Sequence, residues 1–116
     1  MKNYLPYIFH PIADEQQTDI WLYTYQHWGA KQADQYIERL HEKLLQIADN
    51  PFLLKKLPIE INSQIQFFHY GRHYVFVRRT ETHNTQEKIQ VLTLLHDSMD
   101  ISQRLREVLE QALTRK

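Results

Sequence analysis

Ala33, Tyr36, Ile37, Leu40, Leu44, Ile47 and Ala48 follow one another at intervals of three, one, three, four, three and one. That spacing places all seven on one side of a helix whose reverse face is charged. No other feature restricts the fold as much, because a helix of this kind must lay its apolar side on another element to be stable. Asn50-Pro51 ends it, since the residue before a proline is driven out of helical geometry.

An earlier helix leads into this one. His10-Pro11 reads as a stop and restart, with proline in the first turn where its missing N–H costs nothing, and Asp14 and Glu15 near the positive end of the helix dipole. Ala13, Ile20, Trp21, Thr24 and Trp28 recur at helical spacing and Gly29 follows as a stop, which predicts a helix over Pro11 to Trp28. With little more than Gly29-Ala30 between them, the two helices form an antiparallel hairpin. Trp21 and Trp28, seven apart, are read as packing into the core, as bulky aromatics usually do. Tyr23 and Tyr25 lie on the flanks and are candidates for contact with a partner.

Before the hairpin, Tyr4 to Phe9 suits a short strand, and Pro6 points to an edge position. After it, residues 65–70 and 73–79 read as strands broken at Gly71, a polar run from Glu81 to Glu87 supplies a hairpin loop, and Lys88 to His96 forms a central strand. Strict alternation in this last strand puts Ile89, Val91, Thr93 and Leu95 on one face and Gln90, Leu92, Leu94 and His96 on the other. Ile101, Leu105, Val108, Leu109 and Ala112 then step helically, a C-terminal helical extension over about 101–114 that could cover its own sheet or a partner. The expected architecture is α+β: an N-terminal strand, an antiparallel helical hairpin on a small, mostly antiparallel sheet, and a C-terminal helix.

The chain has 116 residues, so one domain spanning 1–116 is expected. The 42% apolar and 24% charged composition is that of a folded protein. Cysteine is absent, which excludes disulfides and thiolate metal sites. Neither the N-terminal residues nor any later stretch has the apolar run of a signal peptide or a membrane span, so a cytoplasmic protein without direct membrane binding is expected. Fourteen basic side chains balance fourteen acidic ones overall. Residues 1–50 carry four against seven and residues 51–96 six against three, so any acidic partner is expected to meet the middle of the chain.

An ordered set of short motifs adds to this reading. Trp28-Gly29, Ala33 with Tyr36, Asn50-Pro51, Gly71-Arg72-His73-Tyr74-Val75-Phe76 and Leu95-His96-Asp97-Ser98-Met99-Asp100 together resemble the ParE branch of the RelE/ParE toxin superfamily, over about residues 4 to 105. The resemblance implies the toxin of a type II toxin-antitoxin pair, bound and neutralised by a cognate antitoxin whose C-terminal segment wraps the toxin, with possible homo- or hetero-oligomers. The ParE branch poisons DNA gyrase by protein contact and implies no catalytic residue and no cofactor. The RelE branch instead cleaves messenger RNA on the ribosome, and a third alternative is a detoxified chain that serves only to bind the antitoxin.

The residues bear on that choice. A metal-independent ribonuclease needs a proton acceptor, a proton donor and cations, for which His96, Arg78 and Arg79 are the candidates. The plainer role for His96 is to hydrogen-bond the adjacent turn. Gln66, Thr93 and Ser98 stand where ParE relatives often carry arginine, which weakens the expected basic surface. Arg72, Lys55, Lys56 and Lys88 are too scattered to define a phosphate site. Seven histidines, His10, His27, His41, His69, His73, His83 and His96, lack a carboxylate or cysteine at ligand spacing, and no metal site is expected. Trp21, Tyr23, Tyr25, Trp28, Arg72 and Met99 are the candidates for contact with antitoxin or target.

Overall fold

The structure, a computed structural model, describes residues 5–57, 64–80 and 88–114. The expected strand start at Tyr4, the loop from Glu81 to Glu87 with His83, and the side chain of Leu113 lie outside the described residues.

In chain order the elements are β1 (Tyr7–Phe9), α1 (Pro11–Trp28), α2 (Ala30–Asp49), a 3-10 turn (Pro51–Leu53), β2 (Lys55–Lys56), β3 (Ile65–Tyr70), β4 (His73–Arg79), β5 (Ile89–His96) and α3 (Ile101–Thr114). The sheet runs in the order β1-β5-β4-β3-β2. Every pairing is antiparallel except that of β1 with β5, which places Tyr7 opposite Ile89 at one edge. At the other edge Lys55 and Lys56 pair with Phe67 and Gln66, a two-residue strand that shows no alternation from which it could be read.

The first helix begins and ends where expected, for partly different reasons. His10 caps it, its Nδ1 accepting the Ile12 N–H at 3.1 Å, a task usually left to Ser, Thr, Asp or Asn. Gly29 is a one-residue joint: its N–H donates to the Tyr25 carbonyl at 2.9 Å and its own carbonyl accepts from Ala33 N–H at 3.1 Å. Its φ of +92° lies where a Cβ is strained.

Two cores lie on opposite faces of the sheet. Leu40, Leu44, Ile47 and Ala48 of α2 pack with Phe68, Val75, Val77, Ile89, Val91 and Leu94 on one face. On the other, Leu105 and Leu109 of α3 pack with Ile65, Phe76, Leu92 and Leu95, so the C-terminal helix covers its own sheet. The strict alternation expected of β5 is corrected by a bulge. Phe76 faces Thr93 but Val77 faces Val91, so one extra residue enters and Leu94 joins Ile89 and Val91 on the α2 side while Leu92 and Leu95 face α3. A bulge frees a backbone N–H that needs a partner when buried. Gln16 of α1 supplies it, its Oε1 accepting from Leu94 N–H at 2.8 Å and from the Thr93 hydroxyl at 3.1 Å.

β1 is fastened to both helices through His41. Its Nε2 lies 2.6 Å from Gln17 Oε1 and its Nδ1 2.6 Å from the Tyr7 hydroxyl. Since the amide oxygen can only accept, the ring proton sits on Nε2 and Tyr7 donates to Nδ1. Burial pushes the His41 pKa down, in keeping with a neutral ring between two partners.

Candidate functional site

The helical hairpin and the ends of β4 and β5 enclose a groove of about 750 Å³. Asp19, Ile20, Tyr23, Thr24 and Trp28 of α1 form one wall, and Gln32 and Tyr36 of α2 lie beside them. Arg72 and His73 at the β3–β4 turn and His96, Ser98 and Met99 at the end of β5 complete it.

The groove combines two surfaces. Its helical wall presents aromatics open to solvent, Trp28 being 68% exposed and Tyr23 60%, and Met99, just past β5, is 41% exposed. The reading of Trp28 as core is therefore corrected. The sheet is already filled by α2 on this side, and of α1 only Ala13 is fully buried, so the far end of α1 projects past the core. Trp21 is half-buried outside the groove, stacked on Tyr25 at 5.2 Å and donating to Asp34 Oδ1 at 2.9 Å.

The second surface is polar and organised around Tyr36. Its hydroxyl lies 3.2 Å from the Tyr70 carbonyl, 3.1 Å from the Arg72 N–H and 2.8 Å from His73 Nδ1. One hydroxyl has one proton and two lone pairs. All three contacts are satisfied at once if Tyr36 donates to the Tyr70 carbonyl and accepts from Arg72 N–H and from a proton on His73 Nδ1. The Tyr70 hydroxyl returns a bond to the Tyr36 carbonyl at 2.6 Å, and burial, helped by Tyr36, pushes its pKa up to about 12. Burial likewise raises that of Tyr36. Both remain proton donors at neutral pH.

His73 meets His96 edge-on, with ring centroids 5.3 Å apart. Burial first, and then His96, pushes the His73 pKa down to about 4, against an opposing pull from Asp97, so His73 is neutral at pH 7. His96 Nδ1 accepts the Ser98 N–H at 3.1 Å and lies 2.7 Å from the Ser98 hydroxyl. His69 Nε2 lies 3.1 Å from Asp97 Oδ2, and this hydrogen bond is the main cause of the lowered Asp97 pKa. Among the described residues no group of three or more His, Asp or Glu converges as a metal-ligand set.

The sequence candidates are thus divided. Tyr23, Trp28, Arg72 and Met99 share the groove, with His96 beside them, whereas Trp21 and Tyr25 do not line it. Arg78 and Arg79 sit at the far end of β4, opposite Gln90 and Ile89, while His96 is opposite His73. Arg78 Nε is held by Gln90 Oε1 at 2.8 Å, so the structure joins His96 to Arg72 and not to these two arginines. Thr93 is fully buried and its hydroxyl is engaged by Gln16, so that position adds nothing to the surface. Sequence reasoning missed Tyr36 and His73 as site residues. The available signal was a tyrosine in the middle of an apolar stripe, whose polar tip must find partners when the ring is covered.

Comparison with known proteins places this geometry among relatives. A family described as "ParE toxin of type II toxin-antitoxin system, parDE" matches residues 7–101. The chain is similar to Toxin ParE1 of Mycobacterium tuberculosis, strains CDC 1551 / Oshkosh and H37Rv, with 31% identity over 99 residues, 85% of this chain and 96% of the relative. It is also similar to Toxin ParE1 of Caulobacter vibrioides, with 29% identity over 96 residues, 82% of this chain and 92% of the relative.

Proposed function

Because the chain belongs to the ParE toxin family of type II toxin-antitoxin systems, we propose that it inhibits DNA gyrase by protein contact and is neutralised by a cognate antitoxin. The observation that carries this reading is the solvent-facing wall of Tyr23, Trp28 and Met99 beside Arg72. Tryptophan, tyrosine and arginine are the side chains that most often dominate binding energy when a partner removes them from water. An apolar groove at the surface is also a seat for an amphipathic helix, which is how the antitoxin would cover the contact surface. The site of action is the cytoplasm, where gyrase works. Among the described residues no helix is long and apolar enough to cross a membrane.

The test is supercoiling by purified gyrase titrated with this chain. Inhibition that is relieved by the antitoxin encoded beside it supports the reading. Undiminished supercoiling at a large excess of the chain refutes it.

One observation favours a second reading, ribosome-dependent cleavage of messenger RNA. The neutral His73, the neighbouring His96 and Arg72 share one groove, which supplies a proton acceptor, a second imidazole and a cation for a phosphorane. Position-specific cuts in messenger RNA during translation, lost in His96→Ala, would select it.

A further inference from the structure

The groove contains a cation, Arg72, whose turn is tied to α2 through a single hydroxyl group. Arg72 lies in the two-residue turn between β3 and β4, and among the described residues its guanidinium makes no ion pair. Its backbone is fixed from two sides. Its N–H donates to the Tyr36 hydroxyl at 3.1 Å and its carbonyl accepts from Asp97 N–H at 2.8 Å. The turn is also shaped to admit Tyr36. Gly71 takes φ +56°, and a Cβ there would come within 2.5 Å of the Tyr36 oxygen and 2.7 Å of its ring. The reciprocal bond from Tyr70 to the Tyr36 carbonyl holds the same pair from the other end.

We infer that Tyr36 is a positioning residue of the toxic surface: through its hydroxyl it locks the Gly71-Arg72-His73 turn onto α2 and so presents Arg72 at the mouth of the groove. The inference rests on the reading of the groove as the contact surface. It does not depend on which target is met there. The ring of Tyr36 is half-buried and stacks obliquely on Tyr70 at 4.9 Å, so Tyr36→Phe keeps the packing and removes only the lock. A turn released in this way samples several positions, and the contact made by Arg72 then carries the entropic penalty of ordering it.

The experiment is a double-mutant cycle of Tyr36→Phe and Arg72→Ala, read in growth arrest on unpaired expression and in gyrase supercoiling, with melting temperature followed in parallel. Tyr36→Phe is expected to weaken both activities about tenfold, the size of one lost hydrogen bond at a contact. Added to Arg72→Ala it should weaken them no further, since residues acting through each other are not additive. A purely structural role would instead lower the melting temperature and add to the Arg72 effect, which overturns the inference, as does a Tyr36→Phe protein of full potency. Wild-type chain that arrests growth while gyrase is untouched refutes the gyrase reading alone, and the cycle in growth arrest still decides the role of Tyr36. Amide exchange covers the case of a variant that does not fold. In the wild type Arg72 N–H should be protected at least tenfold over its free rate, and exchange at the free rate overturns the inference.

Discussion

The two helices of the hairpin are joined by a single glycine and have similar lengths, yet they use their apolar residues in opposite ways. α2 turns Ala33, Leu40, Leu44, Ile47 and Ala48 fully inward, while α1 buries only Ala13 and leaves Leu22, Tyr23, Tyr25 and Trp28 open to water. The difference separates, within one supersecondary unit, a helix whose apolar residues build the core from one whose aromatics are left open to solvent. α2 is held in place by the sheet core, and α1 is held by α2, by the approach of Ala13 and Ile20 to the same core, and by polar links such as Gln16 to the β5 bulge and Gln17 to His41. Its aromatics are thereby available to another protein.

The largest effect that could break this division is in α2. Leu44 is fully buried in the core under the sheet, and Leu44→Ala is expected to cost about 3–4 kcal/mol in urea or thermal unfolding. A loss below about 1 kcal/mol would show that α2 is not the anchoring helix. Gly71→Ala acts where α2 meets the groove. It forces a side chain into a left-handed conformation and against Tyr36, for an expected cost of roughly 2–3 kcal/mol, partly recovered in the background of Tyr36→Ala.

A smaller effect comes from pH. His73 has a folded pKa of about 4 against roughly 6.5 when unfolded, so the unfolded chain binds more protons between these values. The His73 contribution is therefore constant above about pH 7 and stability falls as pH drops from 6.5 toward 4. The ring is partly open to solvent, which reduces the expected loss to about 1–2 kcal/mol. His73→Gln should flatten this part of the curve, with the remainder coming from His41, whose pKa is shifted the same way. The smallest effect on stability belongs to α1. Trp28→Ala should change it by no more than about 0.5 kcal/mol while reducing growth arrest tenfold or more. If instead Trp28→Ala unfolds the protein, the contrast between the helices is wrong.

The legible part of the molecule was what periodicity can encode. The α2 stripe, both ends of α1, the bend at Gly71 and the helical spacing of α3 all follow from residue type and spacing. Features set by tertiary contact were not legible. The bulge at Leu92 and Thr93 depends on Gln16, which lies 77 residues away from Thr93, and two-residue β2 exists only as a partner for β3. Trp28 was misread because helical spacing tells which residues share a face, and it does not tell whether that face extends beyond the sheet beneath it. The site was half visible: Arg72 and Met99 came from motif resemblance, whereas Tyr36 and His73 required knowing that α2 passes under the β3–β4 turn.

The parallel pairing of β1 with β5 has a consequence for synthesis. Tyr7 lies opposite Ile89 on a strand made about eighty residues later, and contacts so distant in sequence form late. While the ribosome is still translating the middle of the chain, the first strand has nothing to pair with and the hairpin has no sheet to rest on. The groove, whose floor includes the ends of β4 and β5, is therefore assembled only after β5 has been made.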